Sequence, residues 1–234
     1  MPANKIVKWI GIAIGVVFVV SLLAYNAFTP KTTNVHTASD YWNKNMVMGS
    51  VDAPNKMVEY TDYFCSFCAD LHKAMGDEFK KDYIDTGKLS FETRIVDLLS
   101  EVSVNTQTGN EAAFCAADQN KYWEYSHEII TNIDNDFFSK GIGVKNVVNP
   151  VKIPKLERDY FTIPAEKVGM NTTEFNTCLD DKKYATEIKN NSEKAIRMGV
   201  NGLPNISVNN YSASGFGGGG YDELKLMLKA GGVN

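Results

Sequence analysis

Met57-Val58-Glu59-Tyr60-Thr61-Asp62-Tyr63-Phe64-Cys65-Ser66-Phe67-Cys68 carries more information about this chain than any other stretch. An apolar run ends where two cysteines stand three positions apart, at the join between an expected strand and an expected helix. Cysteines at that spacing can close a small disulfide across one helical turn and open it again. The thiolate is the reactive form and a helix N-terminus stabilises negative charge, so Cys65 at the first turn is expected to have a lowered pKa. Such a pair suits thiol–disulfide exchange better than a structural staple. Cys65 is the candidate nucleophile and the more exposed sulfur; Cys68, one turn further, is the buried resolving thiol.

Working outward, Asp52-Ala53-Pro54-Asn55 is a turn signal, and the first strong strand runs from Lys56 to Asp62. From Cys65 to about Thr86 the spacing is helical, with Phe67, Leu71, Met75 and Phe79 recurring every fourth position and Gly87 as the stop. Leu89 to Val96 alternates at period two and reads as a second strand. Strand, helix, strand at this spacing implies a parallel pair with a right-handed crossover.

From Ser100 to Arg197 the character changes to helix. Glu111 to Asn132 is expected as one long helix, Asp134 to Pro154 as loop, and Lys155 to Val168, Thr173 to Leu179 and Tyr184 to Met198 as further helices. Asn171-Thr172-Thr173-Glu174 reads as an N-cap with an acidic first turn. Strands return at Pro204 to Val208 and Tyr211 to Phe216, with Asn209-Asn210 as a hairpin signal. The glycine run from Gly217 to Gly220 connects to a closing helix over Asp222 to Ala230. That run is no phosphate loop, because no Lys-Ser/Thr follows it.

With 234 residues and 44% apolar content the chain can bury a sizeable core. Its 24 Lys+Arg against 28 Asp+Glu give a net charge of -4, and no basic block invites nucleic acid. Trp9 to Tyr25 holds no charge and only Ser21 as a strongly polar residue, close to the roughly 20 apolar residues that a span needs. The expectation is an uncleaved membrane anchor over residues 1–28; a cleaved signal peptide is the competing reading, disfavoured because small residues are poorly placed for cleavage. Lys5 and Lys8 put the N-terminus in the cytoplasm and everything beyond about residue 29 outside. Residues 29–45 read as a polar tether.

An extracytoplasmic compartment tolerates disulfides, so the second cysteine pair, Cys115 and Cys178, is expected to form a structural one. Closing that loop contributes on the order of 4 kcal/mol in the chain-entropy account. Two buried free thiols are the alternative.

Four stretches together resemble the DsbA-like branch of the thioredoxin superfamily, over about residues 46 to 232: Asp52 through Cys68; Ala112-Ala113-Phe114-Cys115-Ala116-Ala117-Asp118-Gln119 with Tyr122-Trp123-Glu124-Tyr125; Phe175-Asn176-Thr177-Cys178-Leu179 with Lys183-Tyr184; and Gly199-Val200-Asn201-Gly202-Leu203-Pro204-Asn205. The resemblance implies an α/β thioredoxin-like domain in two segments, 46–99 and 199–234, around a helical insertion, 100–198. It implies a cis peptide bond before Pro204, packed against the cysteine pair, with Leu203 and Gly202 pairing with an extended substrate chain by strand addition. It also implies that Glu59 lies beneath the buried thiol and relays its proton, with a pKa raised by burial. Many members have Pro after the first cysteine and some have His before the second; here these are Ser66 and Phe67, so one stabiliser of a reduced thiolate is absent.

Each singled-out residue has a blander reading. Cys65 and Cys68 would form a zinc site only with a second ligand pair, and His72 alone does not supply one. Haem attachment needs His after Cys68, where Ala69 stands. Phe64, Phe67 and Tyr63 either form an apolar rim around Cys65 or pack in the core, Asp62 reads as a turn or cap, and His127 has no partner pattern. The expected function is a membrane-anchored extracytoplasmic dithiol oxidase acting on reduced secreted proteins. It needs no cofactor or metal beyond its own disulfide and is reoxidised by a quinone-linked membrane partner. A reductase or isomerase of the same fold, or a non-catalytic binding or chaperone module, is the alternative.

Overall fold

The computed structural model describes residues 42–143 and 151–234. The described residues build a five-stranded sheet: β1 (Val47–Met48), β2 (Asn55–Thr61), β3 (Leu89–Ile95), β4 (Asn205–Val208) and β5 (Tyr211–Ser214), in the order β1-β3-β2-β4-β5. β2 and β3 are parallel, with Glu59 opposite Thr93, and the other three pairings are antiparallel. The expected parallel pair and its helical crossover are present. β1 is too short to leave a period-two signature, so the sequence pattern does not announce it.

The helices are α1 (Ser66–Ala74), α2 (Asp77–Phe79), α3 (Thr106–Asp118), α4 (Tyr122–Asp136), α5 (Arg158–Lys167), α6 (Thr172–Asp180), α7 (Ala185–Arg197) and α8 (Gly220–Ala230). The single helix expected from Cys65 to Thr86 is divided: α1 stops at Met75, Gly76 adopts extended backbone, and α2 runs on into a π-helix over Lys80–Ile84. The long helix expected over Glu111 to Asn132 is likewise two, because Asn120 takes a left-handed φ of 56° between α3 and α4. Asparagine tolerates that conformation better than most residues. The loop expected from Asp134 begins later, after α4 and a 3-10 turn over Phe138–Lys140. At α6 the expected cap is real, with Asn171 Oδ1 accepting the amides of Thr173 and Glu174.

Side-chain alternation on β2 sets two apolar layers. Met57 joins Leu71 of α1, Phe91, and Leu224 and Leu228 of α8; Val58 and Tyr60 join Ala195 of α7, Val200 and Leu203 on the other face. A third layer lies within the helices between β3 and β4, built around Phe114, Tyr125, Phe161 and Phe175. Cys115 and Cys178 are joined there, α3 to α6, by the expected disulfide. Trp42, at the end of the expected tether, is clamped: Arg94 stands 4.6 Å above its ring, Lys194 4.4 Å, and its amide donates to Glu92. The anchor expected over residues 1–28 lies outside the described residues, among which no helix is long and apolar enough to cross a membrane.

Candidate active site

β2 delivers the chain directly to the cysteine pair. Cys65 is the N-cap of α1; its backbone is extended and its carbonyl accepts the amides of Cys68 and Ala69. The Ser66 and Phe67 amides that start α1 have no partner within the helix and put positive potential beside Cys65. Cys68 is one turn along, and both thiols are free. Burial holds the Cys68 thiol well above its usual range, and the neighbouring Cys65 and Glu59 push it the same way. Two sulfurs one helical turn apart can close and open a ring without moving the backbone far.

The expected difference in exposure between the sulfurs is small: Cys65 is 4% exposed and Cys68 2%. Cys65 is covered within one apolar cluster that it shares with Cys68, Leu99 and Leu203. Tyr63 and Phe64 are buried rather than forming a rim, Ser66 is also buried, and Phe67 is half-exposed. A groove of about 190 Å³ nevertheless reaches Cys65, lined by Phe64, Ser66, Phe67, Leu99, Val102 and Ile153.

The peptide bond between Leu203 and Pro204 is cis. It opens β4, and the Pro204 carbonyl is held by the Gly215 amide at 2.7 Å. Gly202 is half-exposed beside Leu203, and a side chain there would meet the Ser214 hydroxyl at 3.0 Å. Cys65, Cys68 and Leu203, far apart in sequence, are therefore brought together at one end of the sheet.

Glu59 is on central β2, fully buried, so it is no surface acid of an edge strand. His72 Nε2 of α1 stands 3.3 Å from its Oε2. Thr93 lies opposite it on β3, and the Tyr122 phenol is close enough to feel its charge. Tyr122 and Tyr63 are held well above the usual tyrosine range by burial, and the Tyr63 hydroxyl bonds Ser126.

Asp62 is more than a turn residue. Its Oδ1 accepts the Phe64 amide at 2.9 Å and the Thr106 hydroxyl at 3.4 Å, and its Oδ2 accepts Asn110 Nδ2 at 3.2 Å. Burial outweighs these three donors and pushes its carboxyl up to about 7. Asn110, which sequence reasoning passed over, sits in the polar N-terminal half of α3; a polar residue inside a helix that must be buried was the available signal. His72 was visible only as an unpaired metal ligand. Among the described residues no cluster of His, Cys, Asp and Glu could hold a metal ion.

Residues 42–223 match the family model described as thioredoxin. A probable disulfide bond formation protein D of Bacillus anthracis is 24% identical over 218 residues, covering 92% of this chain and 91% of that protein. Among solved structures, oxidised BdbD from Bacillus subtilis superposes with a TM-score of 0.61 at 19% identity, over 80% of this chain and 91% of that one. DsbA from Chlamydia trachomatis does so with a TM-score of 0.60 at 19% identity, over 86% of this chain and 96% of that one. Those structural likenesses show the fold: a thioredoxin-like α/β sheet with a helical insertion.

Proposed function

The chain belongs to the DsbA-like thiol–disulfide oxidoreductases of the thioredoxin family, and from that premise we propose that it works as a dithiol oxidase held at a membrane, introducing disulfides into reduced secreted proteins. One observation carries the reading: Cys65 caps the N-terminus of α1 within the same packed cluster as Leu203, the residue joined by a cis bond to Pro204.

In the working cycle a substrate thiolate attacks Cys65 Sγ of the Cys65–Cys68 disulfide. The sulfur–sulfur bond breaks, its electron pair goes to Cys68 Sγ, and that sulfur takes up a proton. A mixed disulfide now joins substrate and Cys65. A second substrate thiolate attacks the substrate sulfur, forms the product disulfide and releases Cys65 as a thiolate. Two electrons have passed from substrate to protein, and a quinone-linked membrane partner removes them. The helix N-terminus favours Cys65 as the sulfur that is attacked and released. Glu59, near enough to act on the Cys68 thiol by its charge, serves as the proton reservoir for the buried sulfur. Leu203 and Gly202 offer backbone to an extended substrate, and Phe64, Ser66 and Phe67 line the groove that receives its side chains. Cys115 and Cys178 are structural. The apolar run from Trp9 to Tyr25, with Lys5 and Lys8 before it, supports an N-terminal anchor that leaves the catalytic domain outside the cell.

Full-length protein in detergent tests this directly. The oxidised form should form disulfides in a reduced secreted protein, and Cys68→Ala should accumulate a mixed disulfide at Cys65. Rapid reduction of insulin without any oxidation would reverse the direction to a reductase. No trapped species, with function intact in Cys65→Ala, would leave only a binding module.

A further inference from the structure

We propose that His72 is the positioning residue that links the sealed Glu59 carboxyl to the groove between α1 and α4, so that the proton needed at Cys68 arrives from that side of the molecule. The inference rests on the oxidoreductase reading above and adds a residue and a route to it.

The geometry is convergent. Cys68 and His72 are four positions apart on α1 and so lie on one face of the helix. Glu59 reaches that face from β2. Neither of its oxygens accepts a hydrogen bond from a group among the described residues, although His72 Nε2 is only 3.3 Å from Oε2. His72 Nε2 is likewise without an in-line partner there. Buried polar atoms in native proteins are nearly always paired, so two facing groups left open to each other need a reason. A pair that exchanges a proton supplies one: neither state of the contact is locked by a competing bond.

Exposure rises stepwise along the route. The side chain of Glu59 is 0% exposed, that of His72 12%. Beyond His72 lies a groove of about 370 Å³, lined also by Lys73, Trp123, Ser126, His127 and Asp134. The alternatives around Glu59 are poor proton donors near neutrality. Thr93 is an alcohol, and the Tyr122 and Tyr63 phenols are held above their usual range by burial. Imidazole has two ring nitrogens, so it can give a proton from one while taking a proton on the other. The charged and titratable groups around it are Glu59 on β2, Cys68 and Lys73 on α1, and His127 and Asp134 on α4, with Lys73 paired to Asp134 at 3.1 Å and to Asp70 at 2.9 Å.

The step balances. When the Cys65–Cys68 bond breaks, the electron pair stays on Cys68 Sγ and the Glu59 carboxyl gives that sulfur its proton. His72 Nε2–H restores the proton to Glu59, and the other ring nitrogen takes one from water in the groove. One proton enters for each disulfide opened.

The test uses full-length protein and a reduced peptide carrying two cysteines, with the oxidation rate followed at neutral pH. His72→Ala and His72→Gln should both be slowed about tenfold, a modest share of what proton transfer can supply. Added imidazole should restore His72→Ala, whose missing ring leaves space open to the groove, and should not change wild type or His72→Gln. In His72→Gln the solvent deuterium isotope effect should exceed that of wild type, because proton delivery has become the slow step. Wild-type rates in both variants, or an unchanged isotope effect with no rescue, would overturn the relay while leaving the oxidase intact. Should His72→Ala not fold, the isotope effect in His72→Gln decides alone. A wild-type protein that leaves the peptide reduced would instead sink the oxidoreductase reading on which the relay depends.

Discussion

Asn110 ties Asp62 to the helical insertion: its Nδ2 donates to Asp62 Oδ2 at 3.2 Å and its Oδ1 accepts the Tyr63 amide at 3.3 Å. The same Nδ2 also reaches the Val96 carbonyl at 3.2 Å. One side chain of α3 thus fixes the exit of β2, the exit of β3 and the residue whose carbonyl receives the Cys65 amide. The insertion is not an appendage to the cysteine site; it holds the segment that presents Cys65.

That clamp makes stability depend on pH. Burial raises the Asp62 carboxyl from its ordinary 3.8 to about 7 in the folded protein. The folded state therefore binds a proton more readily than the unfolded chain between those values. The contribution is complete below the unfolded value and is lost as pH rises through about 7. We expect the urea midpoint of wild type to fall from mildly acidic to mildly alkaline pH, and Asp62→Asn to lack that component. A variant whose pH dependence matches wild type would contradict the assignment.

Gly109 lies in α3 where a Cβ would stand 2.8 Å from Phe64 Cε2 and 3.4 Å from Tyr63 Cβ. Alanine would gain about 1 kcal/mol of helix propensity. Phe64 is buried and cannot swing clear, so overpacking of about 1–3 kcal/mol opposes that gain. Gly109→Ala should be destabilised by about 1 kcal/mol net, and its peptide oxidation should slow because Phe64 precedes Cys65. Equilibrium unfolding and the oxidation rate of the same sample check both halves.

The Cys115–Cys178 bond spans 63 positions and joins α3 to α6, away from the Cys65 groove. Removing it in Cys115→Ala/Cys178→Ala should cost about 4 kcal/mol in the loop-entropy account. The oxidation rate at a temperature where the variant is folded should match wild type. A large loss of rate without loss of stability would give this bond a redox role instead.

Much of the fold was legible because its signals are local. β2 announced itself by an apolar run, β3 by period-two alternation, α6 by its Asn171 cap, and the cysteine pair by its spacing. The breaks at Gly76 and Asn120 were less legible, since helical apolar spacing continues across both and only the backbone conformation interrupts it. Asn110 read as an ordinary polar residue and His72 only as an unpaired metal ligand, because the partners of Asn110 lie at the exits of β2 and β3 and that of His72 on β2, all distant in sequence.

The amino-acid order alone determined the chemistry on offer: two thiols one turn apart after a strand, a carboxyl six residues before them, a proline ahead of a short strand, and a second cysteine pair. It did so because helix and strand periods act over a few residues, within reach of a pattern. Tertiary structure decided how deeply each group is buried, that Leu203 packs with Cys65 and Cys68, that Glu59 meets His72, and that Asp62 meets Asn110. Burial and pairing are properties of the packed sheet and helices together, and they, rather than residue type, set where protons reside.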